Sequence, residues 1–275
     1  DFHHAEALLT RNDHLFTDGA IHDLYSVWMR VSAEQGNLDE AERLAGMLHR
    51  FGLQRASPLL VGAALKGRSF QHLLRSDYPK ALETIQAAIG YLERARDPRE
   101  LVDAYSRLAT IYEMDCRFME GKRALEQALA LAGSHDTADM HPAAIESMVR
   151  LAYVENSLGF PLKAFALAEQ ALTFSRQHFY PVGEMRGLAQ MAYASYFLMQ
   201  LDRSLDYCRQ GLEIAEKHQY MRRKGYMHII TARVEILKGR LDSSWRNAQT
   251  ARQIGEEFGY PEMVMEALMI QGEHY

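Results

Sequence analysis

Residues 62–69 read Gly-Ala-Ala-Leu-Lys-Gly-Arg-Ser. This matches the phosphate-binding pattern GxxxxGK[ST] except that Arg68 stands where the lysine belongs. Such a loop cradles phosphate only when a strand leads into it and a helix leads out, so that its backbone amides converge. Here the segment lies inside a helical pattern with no strand before it, and its glycines read as places where helices approach closely. A nucleotide-binding enzyme is therefore the most distant functional alternative. The 12 histidines are scattered, with His3-His4 the only adjacent pair. His135 and His141 flank a polar loop together with Asp136 and Asp139, but neither HExxH nor CxxC spacing occurs, and a solvated loop without metal is expected. Cys116 and Cys208 lie far apart in the chain and read as inert thiols. No GxSxG occurs. The expectation is a chain with no catalytic residues, no metal and no cofactor.

The composition points the same way. The 275 residues are 48% hydrophobic and 24% charged, which excludes a disordered tail or a collagen-like fibre. The formal charge is -5, and basic residues are spread evenly over the two halves, so no direct nucleic-acid binding is expected. No apolar run approaches a membrane span, and two cysteines are too few for a disulfide framework. Together these predict a cytoplasmic location without membrane contact. The chain starts at DFHHAEALL, without Met or a signal-peptide pattern, and stops at GEHY within a helical pattern. It is read as a fragment of a longer regulatory protein.

What positions the side chains is a repeat. A small residue followed by small or apolar residues four and seven places later recurs six times. The instances are Ala41-Ala45-Leu48, Ala81-Ile85-Ala88, Gly121-Leu125-Ala128, Ala164-Ala168-Ala171, Ser204-Cys208-Gly211 and Ser244-Ala248-Ala251. Their first members are spaced 40, 40, 43, 40 and 40 apart, and the polar loop 133–141 accounts for the three extra residues. Tyr180, Tyr220 and Tyr260 repeat at the same period, two of them followed by proline, and mark helix entries. Between these marks the apolar residues keep 3.6-residue periodicity, as in Leu101, Ala104, Tyr105, Leu108, Ala109, Ile111 and Tyr112. Each unit thus reads as an antiparallel pair of helices, A and B. The A helices are predicted near 20–35, 57–75, 99–115, 141–158, 181–199, 221–238 and 261–274. The B helices are predicted near 38–51, 78–95, 118–133, 161–178, 202–218 and 241–258, with an orphan helix at about 2–12. The small residues sit where B crosses A, because a larger side chain would push the axes past about 8–10 Å.

These segments resemble the tetratricopeptide repeat family. GNLDEAERLAGML (36–48), SDYPKALETIQAAI (76–89), GFPLKAFALAEQAL (159–172) and GRLDSSWRNAQTA (239–251) match its turn and B helix. Leu108-Ala109-x-x-Tyr112 matches its A helix, and Leu151-Ala152 and Met191-Ala192 match it in part. The resemblance covers residues 20–275. The unit exceeds the family's usual 34 residues and is similar to the long repeats of maltose-regulator-type activators, of Rap-type peptide-binding regulators, and of segments ahead of bacterial diguanylate cyclases. It implies an all-α, right-handed superhelix of about six repeats plus terminal helices, in one domain over 1–275. It further implies a non-catalytic sensor that binds a protein or peptide segment in its concave groove and regulates an attached output domain, such as a transcription activator or a cyclase.

Projecting the register onto A helices lining such a groove selects Arg30, Lys66, Arg107, Arg150, Tyr153, Asn156, Arg186, Tyr193, Tyr196, Tyr226 and Arg233. Arginine offers paired donors to carboxylate, and tyrosine offers rigid amphipathic contact area. The family's groove asparagines and basic residues correspond by register to Asn156, Arg107 and Arg150. The alternative is that the arginines pair internally with Asp103, Glu146 and Glu155. A second functional reading is a scaffold or oligomerisation module acting through its terminal helices. Met263, Val264, Met265, Ala267, Leu268, Met269 and Ile270 give the last helix more apolar surface than one neighbour covers. Met265 and Met269 are the expected interface of a homodimer.

Overall fold

The computed structural model describes residues 15–34, 37–134 and 141–273. Thirteen helices occur among the described residues, and no strand does. The A helices are α1 (Asp18–Glu34), α3 (Pro58–Leu74), α5 (Pro98–Met114), α7 (His141–Ser157), α9 (Pro181–Phe197), α11 (Met221–Leu237) and α13 (Pro261–Gly272). The B helices are α2 (Leu38–Gln54), α4 (Tyr78–Ala95), α6 (Phe118–Ser134), α8 (Pro161–Gln177), α10 (Leu201–Lys217) and α12 (Leu241–Phe258). They fall where the periodicity places them, with ends shifted by at most three residues. The orphan helix near 2–12, the His3-His4 pair and the loop residues His135, Asp136 and Asp139 lie outside the described residues. None of the described helices is long and apolar enough to cross a membrane.

The period follows from the turns. From α8 to α11, 17-residue helices alternate with three-residue turns, so that one pair of each makes 40. In each turn the middle residue takes a positive φ: Phe179 (52°), Met199 (57°), Gln219 (55°) and Gly239 (69°). The next N–H then reaches back to the helix just ended, as from Tyr180 to the carbonyl of Ser175 (2.9 Å) and from Tyr220 to that of Ala215 (2.9 Å). This closure satisfies carbonyls that a helix end leaves unpaired. All seven prolines stand at the first or second position of a helix, where a missing N–H costs nothing. Tyr180, Tyr220 and Tyr260 occupy the cap position before α9, α11 and α13, and each packs on the adjoining core.

The chain divides into two compact units, residues 1–143 and 144–275. Unit 1 packs Ile21, Tyr25, Trp28 and Met29 of α1 against Leu44, Leu48 and Phe51 of α2 and Leu60, Ala63 and Ala64 of α3. Unit 2 packs α7 to α11 around Ala164, Ala168, Met185, Leu188, Ala192 and Met227. Its last helices close on Ile229, Ala251, Ile254, Met263 and Ala267. The small first member of each repeat is fully buried at Ala41, Ala81, Ala164, Ser204 and Ser244. At Ser204 the hydroxyl donates to the carbonyl of Ala192 on the facing A helix (2.8 Å), so polarity is tolerated there only because it is paired.

The phosphate-loop look-alike is accounted for by packing. Gly62 and Gly67 lie within α3. A Cβ on Gly62 would stand 2.7 Å from Leu92 Cδ2 and 3.3 Å from the carbonyl of Ala88, and one on Gly67 would stand 2.9 Å from Met29 Sδ. Gly90, in α4, has nothing within 4 Å of such a position. We therefore expect Gly62→Ala to lower stability by about 1–3 kcal/mol through overpacking. Gly90→Ala should raise it by about 0.5–1 kcal/mol by removing a mid-helix glycine. Urea denaturation of the two variants checks both signs; a neutral Gly62→Ala would mean that close approach is not why glycine stands there.

Candidate functional site

The repeat register places apolar residues at A-helix positions that face the core, and unit 1 departs from this at Gln71 and His22. The fourteenth helix residue is Val31, Ile111, Val154, Ala194 and Val234 in five helices, but Gln71 in α3. The fifth is Val102, Ile145 and Met185 in α5, α7 and α9 and glycine in α3 and α11, but His22 in α1. Lys66 and Glu100 are likewise buried, in α3 and α5. All four line a single cavity of about 380 Å³. Its walls come from α1, α3, α5 and the last residues of the unit, Pro142 and Ala143, with no B-helix residue among them. The A helices thus form the recessed face of this unit.

Three of the four polar residues form one electrostatic cluster. Lys66 Nζ donates to Glu100 Oε2 (2.7 Å) and to Asp103 Oδ2 (2.5 Å). His22 stands between two carboxylates, with Nε2 3.2 Å from Glu100 Oε2 and Nδ1 2.9 Å from Asp23 Oδ1. Burial opposes the charge on Glu100, but Lys66 and His22 outweigh it and hold the carboxyl well below its ordinary value. Burial likewise opposes the charge on Lys66, and Asp103 and Glu100 reverse the shift upward. For His22 burial and Lys66 act against protonation, and Glu100 and Asp23 prevail, raising its pKa. The cluster ties α1, α3 and α5 together by charge where neighbouring repeats use apolar contact.

Gln71 is different. Its side chain is 1% exposed, lines the cavity, and has no hydrogen-bond partner for either amide atom. Beside it Phe70 carries the Arg107 guanidinium over its ring at 4.2 Å. Arg30 lines the same cavity from α1. Of the groove positions expected from the sequence, Arg30, Lys66 and Arg107 meet here, with Lys66 consumed by its two carboxylates.

The remaining expected positions lie in unit 2. Arg150 Nε is 3.4 Å from Glu146 Oε1, and Arg186 pairs with the same carboxylate, so the expected internal pairing with Glu146 is realised. Asn156 is 7% exposed, donates weakly to Gln190 Oε1 (3.5 Å) and leaves its Oδ1 unpaired. Arg233 reaches Glu266 Oε2 at 3.4 Å. Burial and Glu266 push the Tyr193 hydroxyl far above its ordinary pKa, with Tyr153 and Tyr226 close enough to contribute and Arg233 opposing them. Tyr153, Tyr193, Tyr226 and Arg233 therefore share one neighbourhood. Tyr196 packs edge-on against Phe197.

Cys208 is buried and its thiol is pushed up to about 12, which leaves it unreactive. Cys116 is exposed in the turn after α5. No group of three or more His, Cys, Asp or Glu side chains among the described residues is arranged to hold a metal ion.

The sequence matches no known protein family and no curated protein. The fold does match solved structures. A Rap protein complexed with competence and sporulation factor aligns over 97% of this chain and 75% of its own, with a TM-score of 0.72 at 14% identity. The Rap conjugation gene regulator of plasmid pLS20, in complex with the Phr* peptide, aligns over 91% and 78%, with a TM-score of 0.66 at 13% identity. A signal transduction ATPase with a tetratricopeptide repeat sensor, from Pyrococcus horikoshii, aligns over 97% of this chain, which spans 40% of that protein's length, with a TM-score of 0.66 at 17% identity. At these identities the likeness shows the fold. The chain is an array of tetratricopeptide-like helical repeats.

The ion cluster sets a pH window. Glu100's contribution to stability is complete above its ordinary pKa of 4.5 and is lost as pH falls through the depressed folded value. His22's contribution is complete below its ordinary 6.5 and is lost as pH rises through the elevated folded value. We expect the stability carried by the cluster to be greatest between about pH 4.5 and 6.5 and to decline on the alkaline side. His22→Gln should flatten that decline, and Lys66→Met should cost about 3–5 kcal/mol by stranding buried carboxylates. Urea midpoints measured across pH for the three proteins check this; an alkaline decline that survives in His22→Gln would locate its origin elsewhere.

Proposed function

We propose that this chain is a non-catalytic recognition domain that binds a segment of peptide or protein on its A-helix face and passes that occupancy to an attached output domain. The observation that carries this reading is the unit 1 cavity, walled by A helices and containing buried polar side chains where the repeat otherwise places apolar ones. Two of the similar structures are complexes with a regulatory factor or a peptide, and a third couples a repeat sensor to an ATPase, which supports a sensing role. The binding residues proposed are Arg107 in unit 1 and Arg150, Tyr153, Asn156, Arg186, Tyr193, Tyr196, Tyr226 and Arg233 in unit 2. Arginine and tyrosine dominate recognition surfaces because each brings large contact area with directed donors. The reading includes no cofactor and no direct contact with nucleic acid or membrane, and it places the protein in the cytoplasm. A transcription activator or a diguanylate cyclase would be a suitable output.

One observation favours a second role. On α13, Met263, Ala267 and Ile270 are buried, whereas Met265, Leu268 and Met269 are about half exposed or more. An exposed apolar face of that kind suits a following helix of a longer protein or a second copy of the chain.

Affinity selection of a random peptide library on the immobilised chain tests the first role. We expect enriched peptides to be acidic or to need a free carboxylate, and Arg107→Ala and Arg150→Ala each to weaken them by about 2 kcal/mol or more with little change in melting temperature. No enrichment, or binding indifferent to both substitutions, would count against it. For the second role, sedimentation at micromolar concentration should show a dimer that Met265→Glu with Met269→Glu dissociates. A monomeric unsubstituted chain would remove α13 as an interface.

A further inference from the structure

The first turn of α11 reads Met221-Arg222-Arg223-Lys224, three consecutive cations and no acid. The start of a helix carries partial positive charge, so carboxylates are favoured there and cations are not. α5, α9 and α13 follow that rule with Glu100, Glu184 and Glu262. Two of the three cations of α11 find countercharge elsewhere. Arg222 pairs with Glu262 of α13 (2.8 Å), and Lys224 pairs with Glu216 of α10 (3.0 Å). Arg223 does not. Among the described residues it has no ion pair and no hydrogen bond, and Tyr226, Tyr180 and two more arginines, Arg222 and Arg150, stand near it. Burial, then Arg222 and Arg150, hold its pKa below the ordinary arginine value against the two tyrosines.

The Arg223 guanidinium is also reachable. Its side chain is only partly buried, and none of its nitrogens is sealed from solvent as the amide of Gln71 is. Three A helices of unit 2 bring like charges together around it: Arg150 from α7, Arg186 from α9, and Arg222, Arg223 and Arg233 from α11. The carboxylates that pair with this group are Glu146, Glu262 and Glu266. Glu184 and Glu216 are taken by Arg176 and Lys224. Glu146 serves Arg150 and Arg186 together. Arg150–Glu146 and Arg233–Glu266 both span 3.4 Å, longer than the roughly 2.7–2.9 Å of a close charge-assisted contact.

With every cation left on its own carboxylate, five arginines face three acids. Two positive charges are unmatched, that of Arg223 and one of the two that share Glu146. One carboxylate would balance half of this excess. A phosphate monoester brings about −1.5 to −2 charges at pH 7 and three acceptor oxygens on one small group. A guanidinium has five N–H donors, so a paired arginine still has donors for an anion beside it. Tyr180 and Tyr226 offer aromatic surface to whatever carries the phosphate.

We propose that Arg223, with Arg150 and Arg222 beside it, binds a phosphate monoester dianion on the A helices of unit 2. Two sources carry that group, a phosphorylated side chain of the recognised segment and a free small phosphomonoester. The proposal rests on the recognition role above only in its peptide form.

Calorimetric titration with inorganic phosphate, phenyl phosphate and phenyl sulfate tests it directly. Degenerate ten-residue peptide pools with a central phosphoserine or phosphotyrosine, each beside an unphosphorylated pool and a pool with central Glu, complete the set. We expect phenyl phosphate to bind about tenfold or more tightly than phenyl sulfate, a fixed monoanion of similar shape. That advantage should grow as pH rises through about 6, where the phosphate becomes a dianion. Arg223→Gln should remove the advantage and leave the melting temperature equal or higher, because it deletes a cation that burial and two arginines oppose. Arg209→Gln, on the B helix α10 and already paired with Asp206, should change neither. Phosphate and sulfate esters binding equally, or an advantage that survives in Arg223→Gln, would overturn the proposal. Small phosphates binding as well as the phosphorylated pools would support a free phosphomonoester. A phosphorylated pool about tenfold tighter than both phenyl phosphate and its Glu pool would support a phosphorylated segment. If library peptides bind but ignore phosphorylation and Arg223→Gln, this assignment falls and peptide recognition stands. If only the small phosphates bind, the reverse holds. If no peptide and no phosphate-bearing probe binds, both fall.

Discussion

The close approach of each B helix to the A helix before it is the constraint on which the rest depends. Ala41, Ala81, Ala164, Ser204 and Ser244 are fully buried at these crossings, and nothing larger than a hydroxymethyl group appears among them. Close axes let the flanking apolar residues interlock, and the interlocked pair still leaves one face uncovered until the next pair arrives. The three-residue turns enforce the same spacing from the backbone side. Their middle residues sit in the left-handed region even when they are Phe179, Met199 or Gln219, side chains for which that conformation is strained. The strain is tolerated because a longer or shorter turn would shift the next helix off the small-residue crossing.

A regular array makes departures informative. In unit 1, charged and amide side chains take positions that the repeat assigns to apolar ones. Removing Lys66, Glu100 and His22 from water is costly, and their mutual attraction offsets that cost only because three successive A helices bring one amine, one imidazole and three carboxylates within bonding distance. Apolar residues would do the structural task at less risk. The same region also leaves Gln71 unpaired and lines a cavity of about 380 Å³ walled by A helices. A cost of this kind, concentrated beside a cavity, is the observation on which the proposed recognition role rests.

The fold was legible in the sequence to within a few residues because it is set by local spacing. The 40-residue register, the prolines and the tyrosine caps all act within a turn or two of chain, and each found its place. The site was legible only in part. Projecting the register inward located Arg30, Lys66 and Arg107 on the cavity and Tyr153, Tyr193, Tyr226 and Arg233 near one another. It did not decide between an open groove and internal pairing of the arginines with Glu146, because the Lys66–Glu100 and Arg186–Glu146 pairs join residues one helix away in space and roughly 34–40 residues away in sequence. Gln71 and His22 lie on the row that faces the core, not on the row that faces inward, so the inward projection does not contain them. The signal for Gln71 is nonetheless in the sequence, where five other A helices carry Val, Ile or Ala at its position.

The two units use the same scaffold to different chemical ends. Unit 1 gathers a few polar groups beside a cavity, where low dielectric strengthens each electrostatic contact. Unit 2 carries phenols and paired arginines on its A helices, with Tyr153 nearly half exposed and one oxygen of the buried Asn156 unpaired. These arginines already have carboxylate partners, so an acidic group binding to them alone must displace Glu146 or Glu266 rather than fill a vacancy. Exchange of one ion pair for another changes binding energy little, but it selects against ligands that bring no charge of their own. In the proposed role the recess would supply affinity and the open face selectivity. Each can be altered without disturbing the other, because neither uses the small residues at the helix crossings that hold the repeats together.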